Sequence, residues 1–356
     1  MFKRIILIFI VLFVATSLFA QQQAMNKSIE SFYEAMRMQD IKGMGKLLKK
    51  NKLDLKEFPY LATEAGIGSL DVTKFLIENG ADVNAQNAAG NTPLMLAVGY
   101  RMIDTVDLLL EKGANKTINA KNIRGDSAFS LAYTGLAIGG LKEKSKIIVV
   151  KLLENGADIS LINRDNFIGV FHSLLSNNDI DMIKLLLENG ADLSKEGSGY
   201  WLNAAAAYPR VEIIKLLMAH GLKPGHDIDS ERLLYGICQS QDSNNYEILE
   251  LFISNGLDIN SYTDDYQSLL LDALQRKSFE IAKLLINNNA IVNCVIGGKT
   301  PLITAIKNGA PVEIIKMILD KGADPNTLEN NSKKTALDYA KNRGDNAIIN
   351  LIQERM

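Results

Sequence analysis

Apolar positions in this chain recur in one arrangement, a helical stretch, a polar turn, and a second helical stretch that closes on a pair of aliphatic residues. Leu109-Leu110, Leu152-Leu153, Leu186-Leu187 and Leu284-Leu285 are such pairs, each just before a polar helix end. The closing segment is copied along the chain as FLIENGADVNA, LLLEKGANKT, KLLENGADIS, LLLENGADLS, LFISNGLDIN and MILDKGADPN. Its glycine falls at Gly80, Gly113, Gly156, Gly190, Gly221, Gly256 and Gly322, with Asn289 in the same place in LLINNNAIVN. A helix stop needs a left-handed backbone, which glycine and asparagine tolerate, so all eight positions are expected to end a helix. The Asp-apolar-Asn run that follows, as in Asp82-Val83-Asn84, is expected to lead into a loop.

Successive intervals between these stops are 33, 43, 34, 31, 35, 33 and 33 residues. A unit of this size is one helix pair, which hides its apolar stripe only against the pairs on either side. Each Leu buried in such a seam contributes about 1.5–3 kcal/mol relative to exposure. No Pro-, Gly- or Ser-rich linker divides the chain, so stacking rather than separate cores is expected to organise its 356 residues.

The stretch GNTPLMLAV, from Gly90 to Val98, places Thr92 to cap a helix and Pro93 in its first turn, where the missing N–H costs nothing. It returns as GKTPLITAI from Gly298 to Ile306 and as KTALDYAKNRGD from Lys334 to Asp345. With the period near 33, these phrases resemble the ankyrin-repeat family from about Pro59 to the C-terminus. The resemblance implies an all-α ankyrin-repeat solenoid of about nine to ten helix-turn-helix units with short loop or β-hairpin fingers. Between Ser160 and Cys294 the signature degenerates to FIGVFHSLL, GYWLNAAAA, LLYGICQS and QSLLLDALQ, where two helices per unit are still expected but irregular stacking is open. Residues 26–58 read as a divergent N-terminal capping unit, 59–327 as the repeats and 328–356 as a C-terminal capping repeat whose polar outer face carries Lys333, Lys334, Lys341, Asn342, Arg343, Asp345, Gln353 and Glu354.

Lys3 and Arg4 followed by the apolar run Ile5 to Ala15 read as a signal peptide over residues 1–20, cleaved after Ala20 in preference to being retained as an anchor, with 21–25 a polar leader. A periplasmic or secreted protein of bacterial origin is the expectation, with no membrane span once the leader is removed. The formal charge is −2, and it becomes more negative when Lys3 and Arg4 leave with the leader. Lysines and acids interleave along the chain without a long basic stripe, which argues against a nucleic-acid partner.

Cys238 and Cys294 lie two repeats apart and read as a small buried residue and a loop thiol rather than a disulfide. Ile296-Gly297-Gly298-Lys299-Thr300 imitates the end of a phosphate-binding loop, but the first Gly of that motif would fall at Asn293 and no strand leads into it. His172 matches the His of the ankyrin signature, so the resemblance gives it a structural role in bonding neighbouring loops. His220 and His226 flank a helix stop with no third ligand nearby, and the pair Asp264-Asp265 falls on an exposed loop. No catalytic residue, metal site or cofactor is expected, and the chain reads as a non-enzyme.

The resemblance implies a concave binding surface made of the fingers and the first helix of each pair, acting on a protein partner with the chain itself a monomer. Carried over repeat by repeat, the contact positions are Ala88, Ala89 and Asn91 with Gly99 and Tyr100, then Arg124 and Asp126, then Tyr208. Asp264, Asp265 and Gln267 follow with Arg276, and then Lys299 with Lys307 and Asn308. Tyr100, Tyr208, Arg124 and Arg276 are the expected anchors, because aromatic and Arg side chains dominate such interfaces. Trp201, aligned with Pro93, reads equally as a packing or a recognition residue, and the long interval around 135–146 as an insertion between two helices that is either a tolerated loop or a second contact site. An immunity-like inhibitor and a secreted effector are forms of the same reading. A hydrolase with a cleft near His172, Asp179 and Asp181, and a spacer without a specific partner, are the competing classes.

Overall fold

The computed structural model describes residues 22–56, 68–208, 210–224, 243–260, 268–330 and 332–356. Among these the regular elements are helices: α1 (22–37), α2 (Ile41–Asn51), α3 (Leu70–Glu78), α4 (Pro93–Gly99), α5 (Ile103–Glu111), α6 (Ala128–Thr134), α7 (Lys142–Glu154), α8 (Arg164–Ser176) and α9 (Ile180–Glu188). They continue as α10 (Ser198–Ala206), α11 (Val211–Ala219), α12 (Ser243–Ser254), α13 (Leu269–Gln275), α14 (Phe279–Asn287), α15 (Pro301–Lys307), α16 (Val312–Asp320), α17 (Ala336–Arg343) and α18 (Asn346–Gln353). Among the described residues the fingers between pairs are turns, with one antiparallel bridge, between Ile296 and Lys299. The chain divides into two compact units at Ser173, within α8.

Local chemistry sets both ends of each pair. First helices start on a hydroxyl that accepts a backbone N–H: Thr92 from Met95, Ser127 from Ser130, Ser268 from Leu271, Thr300 from Ile303 and Thr335 from Asp338. Second helices stop where the sequence placed the stop, at φ of +94° for Gly80, +87° for Gly156 and +89° for Gly322, with Asn289 at +65° in the same role. A second left-handed position, between the two helices of a pair, is filled by Gln39, Arg101, Asn178, Lys277, Gly309 or Gly344. At this turn several repeats use ordinary side chains, and Arg101 is one of them.

In the first unit α4 packs on α6 while α3, α5 and α7 stack as a row of second helices. In the second unit α13, α15 and α17 stack as first helices, and α9, α11, α12, α14, α16 and α18 as second helices. The Asp-apolar-Asn run stitches these rows. Asp82 accepts the Asn84 N–H within its own loop, and Asn84 donates to the Gly113 carbonyl of the next repeat. Asn119, Asn260 and Asn293 make the same reach, to the carbonyls of Gly156, Asn289 and Gly322, and accept the N–H of Asp158, Ile291 and Asp324 in return.

Several expectations need correction. Residues 22–25, expected as a polar leader, belong to α1, because Met25 sits on the face that continues through Ile29, Phe32 and Met36 into the first core. Lys142 to Lys146, expected in a loop, form the first turn of α7, where Ser145 is buried and Glu143 and Lys146 pair at 3.9 Å. Cys294 lies in a loop as expected but is buried, and burial pushes its thiol up. Trp201 is fully buried, edge-on to Tyr200 at 4.9 Å, and so packs between elements. In α8, thirteen residues stand where α4 has seven. Gly169 occupies the place of the capping Thr92, counted from the turn residues Asn178 and Arg101, so nothing starts the helix there. The helix runs back instead to Asn163, whose side chain accepts the Asn166 N–H. The signal peptide, Cys238, His226 and the degenerate unit LLYGICQS lie outside the described residues.

Candidate protein-binding face

The face expected to bind is built from fingers that are themselves tied together. In the first unit Asn87 closes one finger on the Asn91 carbonyl at 3.0 Å and Asn122 closes the next on that of Asp126 at 2.9 Å. The two are joined by Ile123 N–H to the Ala89 carbonyl at 3.1 Å and by Asn122 Nδ2 to Asn91 Oδ1 at 2.9 Å. The turns also bond their own Asn side chains: Asn87 Oδ1 accepts from Ala89 and Asn91, and Asn122 Oδ1 from Arg124 and Asp126. The result is a pair of stiff projections.

Stiffness sorts the expected contact residues. Ala89 and Asn91 have polar groups engaged in the finger-to-finger bonds, while Ala88 is exposed at the turn. Arg124 is exposed and lies 3.6 Å from Asp126. Tyr100, 64% exposed, stands at the end of α4 beside exposed Gly99. On the second of these fingers, Ile123 is 79% exposed, the highest value among the large apolar residues described. It is not among the contact positions expected from the sequence. An isolated aliphatic residue between Asn122 and Arg124, with no large apolar neighbour at helical spacing, was the signal available.

In the second unit the same kind of face carries more charge pairing. Lys299 is exposed on the turn that Ile296 and Lys299 close through reciprocal backbone hydrogen bonds at 3.0 Å. Lys307 reaches Glu329 at 2.8 Å and stands 5.0 Å from the centre of the Tyr339 ring. Asn308 donates to the Leu274 carbonyl at 3.1 Å, and Arg276 Nε donates to Asp272 at 2.9 Å. Tyr208 is 41% exposed after α10. Asp264, Asp265 and Gln267 lie outside the described residues. Asn308 therefore links neighbouring helices, Lys307 and Arg276 are held by acids, and Lys299, Tyr208 and Tyr100 face solvent.

Glu329 is the electrostatic centre of this part of the chain. Its carboxylate is buried and accepts from Lys307, from the Tyr339 hydroxyl and from Ser332 at 2.7 Å. These bonds, Lys307 first, lower its pKa from 4.5 to about 2, and the same bond raises that of Lys307. A depressed carboxylate stabilises above its unfolded pKa and loses that stabilisation as pH falls through the folded value. The advantage of the wild type over Glu329→Gln is therefore expected to be full at pH 7, to shrink below pH 4.5 and to vanish near about 2. Thermal unfolding midpoints of both proteins across that range test it, and a difference independent of pH would show that the carboxylate's charge is not what matters.

Of the groups weighed for chemistry, His172 is half-buried and burial lowers its pKa. His220 Nδ1 lies 2.9 Å from the Leu216 carbonyl at the end of α11. Asp179 is buried at the start of α9, and Asp181 is exposed. Among the described residues no group of three or more His, Cys, Asp or Glu is placed to hold a metal ion. Nor is any helix among them long and apolar enough to cross a membrane.

Helix pairs closed by left-handed stops, hydroxyl-capped first helices and fingers bonded to their neighbours define a repeat protein of the ankyrin class. The family model for ankyrin repeats matches residues 33–122 and 236–329, more than half of the chain, and the chain belongs to that family. It is similar to an ankyrin repeat protein of fowlpox virus (strain NVSL), 31% identical over 58% of this chain and 57% of the viral protein. An ankyrin repeat protein of Acanthamoeba polyphaga mimivirus is 32% identical over 45% of this chain and 53% of its own length. The ankyrin repeat and KH domain-containing protein mask-1 of Caenorhabditis elegans is 26% identical over 78% of this chain but only 10% of its own. The chain thus spans little more than half the length, or less, of these relatives. The degenerate stretch between the two matched regions is where α8 and α10 lack the Thr-Pro start.

Proposed function

We propose that the chain is an exported bacterial scaffold that holds a protein partner on its fingers and first helices, in the periplasm or outside the cell, without catalysing a reaction. The single observation that carries this reading is Ile123, a naked aliphatic side chain on a finger fixed by the bonds to Ala89 and Asn91. An exposed apolar group costs solubility and contributes nothing to the fold, whereas on a stiff support it is a ready interface anchor that binds with little loss of entropy. Tyr100 and Arg124 supply the aromatic and guanidinium character that accompanies such anchors. The apolar run behind Lys3 and Arg4 supports export, and the family resemblance supports a protein rather than a small molecule as partner.

The test is capture of a stoichiometric protein from envelope and extracellular fractions by the tagged chain, beside the variant Tyr100→Ala with Ile123→Asp. Both side chains stand in solvent, so the variant is expected to unfold at the same temperature as the wild type. Each substitution is expected to weaken the captured complex about tenfold or more. Equal affinity in the variant would move the binding site off this face. Export is checked separately by the N-terminal residue of the protein recovered from cells, which is Gln21 if the leader is removed.

A further inference from the structure

Four of the second helices carry lysine and acid together on their outer faces, whereas α2 carries lysine alone. In α9, α11, α14 and α16 an acid stands in the first turn with a lysine one turn further on: Asp181 and Lys184, Glu212 and Lys215, Glu280 and Lys283, Glu313 and Lys316. Two of these lysines reach acids of the neighbouring helix, Lys215 to Glu247 at 2.8 Å and Lys283 to Glu313 at 2.6 Å. In the first unit Lys151 of α7 reaches Asp107 of α5 at 2.7 Å. The row neutralises itself from repeat to repeat.

No acid occurs from Ile41 to Lys52. Lys42, Lys46, Lys49 and Lys50 are all exposed on α2, and exposed Lys52 and Lys56 follow it with exposed Asp54 between them. At about 100° per residue, Lys42, Lys46 and Lys49 fall in one stripe, with Lys50 on its flank. The opposite side is already used, since Met44, Leu47 and Leu48 pack into the core with Phe32 and Leu76. Among the described residues each of the six is without an ion pair, while the second-helix lysines Lys151, Lys215 and Lys283 have one. Uncompensated like charge side by side is destabilising, so a cluster of this density calls for an anionic counterpart.

We propose that the lysine face of α2 docks the first repeat on an anionic phospholipid surface. The helix has no Arg, Trp or Tyr, the residues that anchor a specific protein contact. Lysines are mobile point charges without a fixed fork, which suits a plane of headgroups better than a patterned partner. The eleven residues of α2 extend for about 16 Å, enough to meet several headgroups at once. In sequence the face lies in the first repeat, with α1 between it and the apolar run Ile5 to Ala15, and on the export reading proposed above that run brings this end of the chain to a membrane whether the leader is removed or retained. The inference goes beyond the binding of a protein partner and does not depend on it.

The test is co-sedimentation of the full chain with phosphatidylcholine vesicles and with vesicles carrying one part phosphatidylglycerol to two of phosphatidylcholine. Insertion of the apolar run adds to both, so the ratio between them isolates the charge effect. At low salt the expected ratio is about tenfold or more in favour of the anionic vesicles, collapsing near 1 M salt where screening acts within about 3 Å. The variant Lys42→Glu, Lys46→Glu, Lys49→Glu, Lys50→Glu is expected to bring the ratio to one, and the milder four-fold Lys→Gln variant to reduce it. Both substitutions leave the buried side of α2 untouched, and unchanged helical circular dichroism confirms their folding. Equal wild-type binding to both vesicles overturns the proposal. So does a duplex DNA that binds in a lysine-dependent way while the vesicle ratio stays at one, which would reassign the face to nucleic acid.

Discussion

Arg101→Met is expected to destabilise the protein by about 2–4 kcal/mol, the cost of leaving several buried neutral acceptors short of a donor. The guanidinium is buried and its acceptors are a hydroxyl and carbonyls rather than a carboxylate. Nε donates to Ser145 Oγ at 2.9 Å, Nη1 to the Val98 and Gly99 carbonyls at 2.6 and 2.8 Å, and Nη2 to the Leu131 carbonyl at 3.2 Å. Val98 and Gly99 close α4, and Leu131 lies in the second half of α6. The cation thus sits at helix C-terminal ends, where unpaired carbonyls carry partial negative charge. Burial lowers its pKa, and the guanidinium stays charged at neutral pH.

Methionine keeps the aliphatic bulk of Arg101 and removes every donor, so the loss reports the orphaned acceptors rather than a cavity. Arg101→Lys restores charge without the fork and is expected to recover only part of the stability. Gly135 belongs to the same device, since a Cβ there would strike Arg101 Nη2 and Ser145 Oγ. Urea denaturation of the wild type and both variants measures the order wild type, Lys, Met. A Met variant within about 1 kcal/mol of wild type would mean that water replaces the guanidinium at these carbonyls.

Whether such features can be read from sequence depends on how far the interacting groups lie apart. Stops and caps are local, and so Gly80 to Gly322, the substitute Asn289, and the Thr92 and Thr300 caps were visible in the letters. Arg101 was not, because two of its acceptors come from Leu131 and Ser145, 30 and 44 residues away, and no spacing announces a buried cation among carbonyls. Lys307 looked like a free contact residue for the same reason: Glu329, 22 residues on, takes its charge. The longer α8 is a different case. It follows from the absence of a signal, Gly169 standing where a cap would be, and a missing start is harder to read than a present one. The asparagine staples were legible in principle, because Asn84, Asn119, Asn260 and Asn293 follow the helix stops at near-constant spacing, yet their partners belong to the next repeat.

Gly90→Ala is expected to cost about 2–4 kcal/mol, and three glycines of one unit separate its two causes. Gly80 has φ of +94° with open space where a side-chain methyl would stand, so Gly80→Ala reports backbone strain alone, about 1–2 kcal/mol. Gly99 has neither a left-handed backbone nor a close neighbour and ends a helix, so Gly99→Ala is expected to be neutral or slightly stabilising. Gly90 combines φ of +73° with a close approach, its Cβ meeting Asn122 Cα at 3.0 Å and Ile123 N at 3.2 Å. Those are backbone atoms of the next finger and cannot rotate away. The fingers must part, and the 3.1 Å bond from Ile123 N–H to the Ala89 carbonyl stretches or breaks. The same displacement moves Ile123, so Gly90→Ala is expected to weaken partner capture while Gly80→Ala leaves it intact at equal occupancy of the folded state. Denaturation of the three variants, followed by binding measured well below their unfolding temperatures, decides it: equal costs at Gly80 and Gly90 would show that the fingers yield freely and that their stiffness is not what presents Ile123.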